Sequence, residues 1–600
     1  AEAGEEGRAA QQELAGIARK SGMVLEGPNC LGMVNYVDGI PITFVVTPPQ
    51  ERADFAGAAI LSQSGALAAV LAVNMRHHRI PLTYSISTGN EAATGIEDFL
   101  EHLIEDASTR VFALVVEQFR QPKRFLHLAR RACAAGKRIV LLHPGRSRAA
   151  RASAATHTGA IAGDYDVMHT LVTHAGVIHV DTMEELVDVT QILVRCEDLP
   201  HGGTAVFTES GAFKALTLDL CDRVGLELPA LSPSVEDALK KALPAFIPPS
   251  NPLDLTAQGL VDPTLYRRTL PPVLDEPSFG SVLLGIILTD PKTTQLKLPQ
   301  IVEAIRALKP RKPVVFAALD EGAPFHFPQL DELRSLRVAC FPSAERAMRA
   351  LAHVTSARAM EDFPAADSKA PTAIRPLHPG VLPEYKSKAL LAQIGIQIPE
   401  GKLAKTADEA MSMARDLGFP VALKAQSSDL PHKTEAGGVL LNLGSEDAVA
   451  EAWTLLHRNI HAHRPGLNLE GVLVERMSSK GVELIVGARN DAQWGPVLLI
   501  GFGGVLAEAM KDVRLLPPDL SVQAIEAEWM KLRSSALLRE FRGRPPLDVA
   551  AAAAVVHQLG QLIRQTPEIA EIDINPLLVF PQGSGVVALD ALIAVTERGA

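Results

Sequence analysis

Between residues 58 and 317 short apolar runs alternate with amphipathic stretches of helical spacing, and that alternation constrains the fold more than any other feature. The runs 58–62, 82–87, 111–116, 138–142, 204–208, 282–288 and 313–317 have the length of strands. Strands separated by helices at this spacing predict parallel α/β sheets. A strand followed by a Ser/Gly turn and a helix occurs twice, at Ile60-Leu61-Ser62-Gln63-Ser64-Gly65 and at Ala205-Val206-Phe207-Thr208-Glu209-Ser210-Gly211. Two related α/β units in tandem are expected.

The chain has 600 residues, more than one hydrophobic core usually organises, so several domains are expected. Residues 362–383 are rich in Pro, Ala, Ser and Lys, a composition that cannot supply a core and reads as a linker. Beyond it a helical start over 383–395 precedes strands at 421–424, 472–475 and 497–501, set between longer helices, an α+β pattern. Hydrophobic residues at 47% and charged residues at 21% are globular values that exclude a mostly disordered or fibrous chain. The longest apolar runs, such as 281–288, fall short of the roughly 18 residues a membrane span needs. With 58 basic against 69 acidic residues, the net charge of −11 disfavours nucleic acid and anionic membranes as partners but permits local pockets for small anions. Five cysteines without a CxxC pair fit a reducing cytoplasm. Residues 1–20 are polar and helical in character rather than a signal peptide, and we expect a chain whose beginning lies further upstream.

No GxxxxGK[ST] loop is present, and Gly501-Phe502-Gly503-Gly504 does not complete a dinucleotide fingerprint. A GxSxG elbow and an HExxH helix are absent too. What remains is a small-residue stretch, 154–163, carrying His157 and preceded by Gly145-Arg146-Ser147-Arg148. A neutral imidazole nitrogen accepts phosphoryl groups well, although taken alone such a stretch is more often a surface loop with an incidental histidine. Two neighbouring features favour chemistry. Ser62-Gln63-Ser64-Gly65 and Ser210-Gly211 each open a helix after a strand, leaving backbone N–H groups and a positive dipole end for a phosphoryl anion. Glu117 follows the strand 111–116, where a carboxylate can hold an imidazole tautomer. Singly, each is more often an ordinary N-cap or a solvated strand end.

Taken in order, Gly27-Pro28-Asn29-Cys30-Leu31-Gly32, the Ser-Gln-Ser-Gly helix start, Gly89-Asn90-Glu91, His157-Thr158-Gly159-Ala160 and Asn251-Pro252-Leu253-Asp254-Leu255 resemble the NDP-forming acyl-CoA synthetases, whose superfamily includes succinyl-CoA synthetase. The C-terminal half resembles that family's ATP-grasp portion through 432–439 (His-Lys-Thr-Glu-Ala-Gly-Gly-Val), Val474-Glu475-Arg476-Met477, 483–487 and Glu571-Ile572-Asp573-Ile574-Asn575-Pro576-Leu577. The resemblance runs from residue 24 nearly to the end.

It implies an α/β chain in five parts: a remnant of a CoA-binding Rossmann domain (1–45), a succinyl-CoA-synthetase-like domain with the phosphohistidine loop (46–197), a second flavodoxin-like domain (198–361), the linker (362–383) and an ATP-grasp domain (384–600). Of the Rossmann domain, only the last helix and strand, roughly 8–35, are expected. By the same resemblance His157 is the phosphorylated histidine, Glu117 its orienting carboxylate, and Ser62, Gln63, Ser64, Gly65, Ser210 and Gly211 the phosphate cradle. Pro28, Asn29 and Cys30 fall in the CoA-binding part. Lys424 would bind nucleotide phosphate, Glu475 and Met477 would line the adenine hinge, and Glu483 would contact the ribose or an adjacent polar edge. Asn575 and Asp590 match ligands of Mg2+ or Mn2+, as oxygen donors suit a hard cation. His432 matches a second histidine that relays phosphate between distant sites, or one that merely contacts nucleotide; the motif here reads His-Lys-Thr-Glu.

The implied activity is cytoplasmic acid–CoA ligation: ATP, a carboxylic acid and CoA give acyl-CoA, ADP and phosphate through phosphohistidine and acyl phosphate. The acid, acetate-like or aryl such as a hydroxycinnamate, and the choice of ATP over GTP carry no short motif. A homodimer is a further expectation. Two alternatives share the fold: a relative that acylates proteins, and a non-catalytic CoA- or nucleotide-sensing protein, which would lack His157, Asn575 or Asp590. All three residues are present.

Overall fold

The computed structural model describes residues 4–48, 55–147, 149, 164–323, 325, 327–361, 377–430, 433–503 and 512–596. It divides into two compact units, residues 1–165 with 172–362 and residues 166–171 with 363–600.

The first unit holds two sheets. One comprises β1 (Gly32–Asn35), β2 (Ile40–Thr43), β3 (Gly57–Ser62), β4 (Leu82–Ser87), β5 (Thr109–Val115), β6 (Arg138–Leu142) and β7 (Val177–Val180), in the order β2-β1-β4-β3-β5-β6-β7. Strands β3 to β7 run parallel. All of β3 is buried, which is why it reads as an unbroken small and apolar run. Residues 32–35, read from the sequence with the tail of a preceding domain, pair here: β1 is antiparallel to β4 and to β2, forming an edge hairpin. Its turn is built by Asn35, whose Oδ1 accepts the N–H groups of Val37 and Asp38, and by Gly39 at φ 72°.

The second sheet comprises β8 (Gly203–Thr208), β9 (Leu253–Asp254), β10 (Phe279–Ile286), β11 (Val314–Ala318) and β12 (Ala339–Phe341), all parallel in the order β12-β11-β10-β8-β9. Strand β10 begins three residues earlier than the apolar run suggests, because Gly280 passes so close to the backbone of His201 that a Cβ would lie 2.2 Å from its carbonyl oxygen. One apolar core spans both halves, joining Leu71, Met75 and Leu186 to Val206, Leu283 and Leu351. The helix Ala344–Glu361 packs on the helix Met183–Leu193, where the Arg346 guanidinium grips Asp188 at 2.7 and 2.9 Å.

The second unit is antiparallel throughout. Its strands are β13 (Gly380–Leu382), β14 (Gly401–Ala404), β15 (Val421–Gln426), β16 (Val439–Leu443), β17 (Gly471–Arg476), β18 (Val482–Asp491), β19 (Gly495–Phe502), β20 (Val513–Leu516), β21 (Ile569–Val579), β22 (Val586–Ala588) and β23 (Ala591–Val595). They form a four-stranded sheet β14-β17-β15-β16 and a larger one β13-β23-β21-β18-β19-β20, with β22 paired to β21. Each sheet has its own core, around Leu423 and Leu456 in the smaller and around Trp529 and Leu559 in the larger.

Candidate active sites

The first site forms at the carboxyl ends of β3, β4 and β5, the edge at which parallel sheets take ligands. The chain leaves β3 through Ser62, whose buried hydroxyl accepts the Ser64 N–H at 3.1 Å and donates to the Ser64 carbonyl at 2.7 Å. Ser64 then caps the helix Gly65–His77 by accepting the Leu67 N–H at 3.4 Å. A Cβ at Gly65 would stand 2.7 Å from Leu31 Cγ, so glycine lets the 29–31 segment lie against the helix start. That segment is held by Leu31 N–H donating to Ser87 Oγ and by Asn90 N–H donating to the Pro28 carbonyl.

Together these parts enclose a cavity of about 420 Å³ whose lining includes Asn29, Cys30, Ser64, Gly65, Glu117 and Arg120. The structure therefore brings the expected CoA-side residues Asn29 and Cys30, the helix start and Glu117 to one place, with Pro28 and Ser62 supporting it. An N-terminal helix end beside an arginine favours an anion.

Gln63 lines the same cavity, but its side chain is taken up by the protein. Its Oε1 accepts the N–H groups of Glu117 and Gln118 at 2.7 and 2.9 Å, and its Nε2 donates to Glu91 Oε2 at 2.8 Å and the Gln118 carbonyl at 2.6 Å. Any anion cradle at this helix start is thus made by other groups. Glu91 belongs to a sequence motif but carried no expected role. It is buried, which pushes its carboxyl up to about 7 despite hydrogen bonds from Thr88 and Gln63, and neighbouring Glu97 adds to the rise.

Ser210 caps the helix Gly211–Val224 in the same manner, accepting the Phe213 N–H at 3.4 Å. Ser210 and Gly211 are not among the residues lining the cavity just described. In the 251–255 motif Asn251 has a structural use, its amide bonding Val206 N–H, the Thr204 carbonyl and the Pro229 carbonyl. His157 and His432 lie outside the described residues.

The second site is a cavity of about 310 Å³ in the second unit, whose lining includes Glu384, Gln426, Lys433, Asp573, Asn575 and Asp590. Glu571, Asp573 and Asn575 alternate along β21 and so share one face. Asp573 is pushed up to about 6 by burial, then by Glu571 and Asp590. Among the described residues no three acidic, histidine or cysteine side chains alone form a metal-binding group. Two carboxylates and the Asn575 amide still make a hard oxygen donor set, which fits a magnesium-like ion that completes its shell with phosphate oxygens. The donors present suit the metal that the resemblance implied.

Behind this cavity lies a buried charge cluster. Glu384 accepts from Lys388 and Lys424 at 2.7 Å and from Lys433 at 2.6 Å; Glu475 meets Lys388 at 2.5 Å and Lys424 at 2.9 Å. Burial alone would raise Glu384, but the three ammonium groups outweigh it and hold the carboxyl well below the usual range. For Lys424 burial is likewise overcome, by Glu384, Glu475 and Asp590, and its affinity for the proton is raised; burial and the charge of Lys424 lower that of Lys388.

Lys424, expected to face nucleotide phosphate, here also donates to the Leu589 carbonyl, while Lys433 lines the cavity and reaches Asp590 at 3.1 Å. The Glu475 carboxylate faces lysines, Met477 N–H donates to the Pro420 carbonyl, and exposed Glu483 accepts Gly503 N–H at its carbonyl. None of these four lines the cavity, whereas Asn575 and Asp590 do. Sequence reasoning assigned no role to Glu384, Lys388 or Asp573. The signals were there in part: Glu384 and Lys388 are four apart on one helix, and Asp573 is two from Asn575.

Family models match three stretches: a succinyl-CoA ligase like flavodoxin domain over 56–193, a Ligase-CoA domain over 204–327 and an ATP-grasp domain over 377–595. The chain is 47% identical over 599 residues to a trans-feruloyl-CoA synthase from an unknown prokaryotic organism, a match covering 99% of this chain and 84% of that protein. It is 31% identical over 601 residues to the ADP-forming acetate–CoA ligase I of Archaeoglobus fulgidus, covering 98% and 84%. Among solved structures it is similar to acetyl-coenzyme A synthetase 1 of Ca. Korarchaeum cryptofilum in complex with phosphate and ADP, with a TM-score of 0.53 and 26% identity over 60% of this chain and 76% of that one.

Two α/β ligase domains and an ATP-grasp domain in one polypeptide define a CoA ligase. The chain belongs to the ADP-forming acyl-CoA synthetase family. It is an enzyme that uses ATP to join a carboxylic acid to CoA, as the sequence motifs led us to expect.

Proposed function

We propose that the acid is aryl, of the hydroxycinnamate class, and that the reaction passes through phosphohistidine at His157 and an acyl phosphate. The observation that carries the aryl assignment is the 47% identity over 99% of the chain to a trans-feruloyl-CoA synthase, against 31% to an acetate–CoA ligase. An imidazole nitrogen of His157 takes the γ-phosphoryl of ATP and ADP leaves. A carboxylate oxygen of the acid then takes the phosphoryl from nitrogen. The CoA thiol, losing its proton, attacks the acyl carbon, and the C–O bond to phosphate breaks. The second transfer is the activating one, because it replaces the acid's poor leaving group, an oxide, by a good one, phosphate.

In this scheme Glu117 orients the imidazole, and Ser64 with Gly65, and Ser210 with Gly211, hold the phosphoryl at helix N-termini. Pro28, Asn29 and Cys30 stand on the CoA side. Lys433 and Lys424 neutralise nucleotide phosphate, while Glu475, Met477 and Glu483 border the nucleotide. Asp573, Asn575 and Asp590 would hold Mg2+, which supplies charge neutralisation at the phosphates when bound. His432 relays the phosphoryl in our reading; His432→Ala should then abolish labelling of His157 from ATP while sparing labelling from acyl-CoA and phosphate, and intact labelling from ATP would reject the relay. We further propose work as a homodimer in the cytoplasm, with ATP as the nucleotide.

The test of the substrate is ADP release over a panel of ferulate, 4-coumarate, acetate and 4-hydroxybutyrate with CoA. The highest kcat/KM should fall on a hydroxycinnamate. A preference for acetate would reject the aryl assignment and leave the ligase class untouched.

A further inference from the structure

The two Ser-Gly helix starts carry different residues at one equivalent position, Gln63 in Ser62-Gln63-Ser64-Gly65 and Glu209 in Thr208-Glu209-Ser210-Gly211. Each stands between a strand end and an N-cap serine, and each strand has a parallel neighbour, β5 beside β3 and β10 beside β8. Both side chains reach across to the segment that leaves that neighbour. Gln63 Oε1 takes the N–H groups of Glu117 and Gln118, just past β5; Glu209 Oε2 takes the N–H of Ile287, just past β10, at 2.7 Å. The remaining capacity of each is filled by a buried partner. For Glu209 these are Lys297 Nζ at 2.9 Å and the Tyr266 hydroxyl at 2.5 Å. For Gln63 it is Glu91, together with the Gln118 carbonyl at 2.6 Å.

We infer that Gln63 is a positioning residue whose amide, oriented by Glu91, fixes the backbone that presents Glu117 to the cavity. The inference rests on the reading of Glu117 as a residue of the active site. An amide has one accepting and one donating end, and here both are specified. Glu91 Oε2 accepts from Nε2, while its Oε1 is occupied by the Thr88 hydroxyl at 2.8 Å and the Ile96 N–H at 3.1 Å. Arg120 stands 3.6 Å from Glu91 Oε2. With Nε2 on Glu91 Oε2 and on the Gln118 carbonyl, turning the amide over would set oxygen against oxygen, so Oε1 stays on the 117–118 N–H groups. Where the second half uses a Glu209–Lys297 ion pair, the first uses a Gln63–Glu91 hydrogen bond for the same span.

The experiment compares the kinetics of acyl-CoA formation in Q63E, the swapped pair Q63E/E91Q, E117Q and Q63E/E117Q. The carboxylate that Q63E introduces keeps an oxygen for the 117–118 N–H groups but opposes the Glu91 carboxylate, so kcat should fall about tenfold or more with KM for ATP little changed. Swapping the pair returns a donor at position 91 but leaves the Gln118 carbonyl opposite an oxygen, so it should recover part of that loss. Added to E117Q, Q63E should cost less than about a further twofold, because both act through one group. Wild-type kcat in Q63E, or losses that multiply in full with E117Q, would overturn the inference. Where Q63E alone does not fold, the swapped pair combined with E117Q decides: less than about a further twofold loss over E117Q supports the inference, and losses that multiply in full overturn it. Wild-type kcat in E117Q would remove the reading of Glu117 itself and the inference with it, whereas an inactive E117Q beside an unimpaired Q63E removes the inference alone.

Discussion

Asp573 is the residue at which the second cavity becomes sensitive to pH. Burial, Glu571 and Asp590 raise its carboxyl from an ordinary 3.8 to about 6, so the folded protein holds that proton more tightly than the unfolded chain does. Protonation therefore adds stability as pH falls through about 6, and the gain is absent once the group ionises above it. A cation needs the ionised form, and its affinity should fall about tenfold per pH unit below 6 if one proton is displaced. Replacing Asp573 by Asn removes the strained charge and a ligand together. Thermal melts should show D573N gaining a few degrees over wild type near neutral pH, a gain that shrinks as pH falls below about 6 and is gone near 3.8, while magnesium titration shows weakened binding. A melting difference that does not change with pH would reject this assignment. The buried cluster of Glu384, Glu475 and three lysines follows a different rule, since each of its charges faces an opposite one and removal of one partner strands the others.

At the scale of elements, the helix Gly65–His77 depends on what stands before it. Gly65→Ala would push a methyl group to 2.7 Å from Leu31 Cγ and displace the segment that carries Asn29 and Cys30. We expect a loss of about 1 to 3 kcal/mol in stability by denaturant unfolding, from overpacking. A larger rise in KM for CoA than for ATP should accompany it, and an unchanged KM for CoA would separate this segment from the CoA side. Much of this was legible beforehand, for physical reasons. β6 coincides with the run 138–142, because a strand buried on both faces is largely apolar, and β4 coincides with 82–87, where Leu82, Tyr84 and Ile86 alternate with Thr and Ser. The N-cap serines announce themselves by composition and by the helix that follows. The hairpin at 32–43 was harder to read. Its strands are short and only partly buried, and their partner β4 lies some fifty residues on. Nor could spacing reveal that Glu384 pairs with Lys424 and Lys433, or that the Gln63 side chain crosses to 117 and 118; both depend on which strands become neighbours.

For the whole molecule, three domain matches and relatives aligned over 98% or more of the chain fix the reaction class, and the two cavities give each half of it a chemical setting. One has a helix start, a carboxylate and an arginine, suited to an anion and an imidazole. The other has oxygen donors beside lysines, suited to a nucleotide with its cation. In the proposed route the chemical link is a phosphoryl group carried on His157. The direct measurement is incubation with magnesium and γ-labelled ATP in the absence of acid and CoA, followed by nucleotide analysis and mapping of the label. The label should be acid-labile and base-stable, should map to His157, and should form with one ADP per label; His157→Ala should remove it. AMP with pyrophosphate as products, or full labelling in the His157→Ala protein, would contradict the phosphohistidine route.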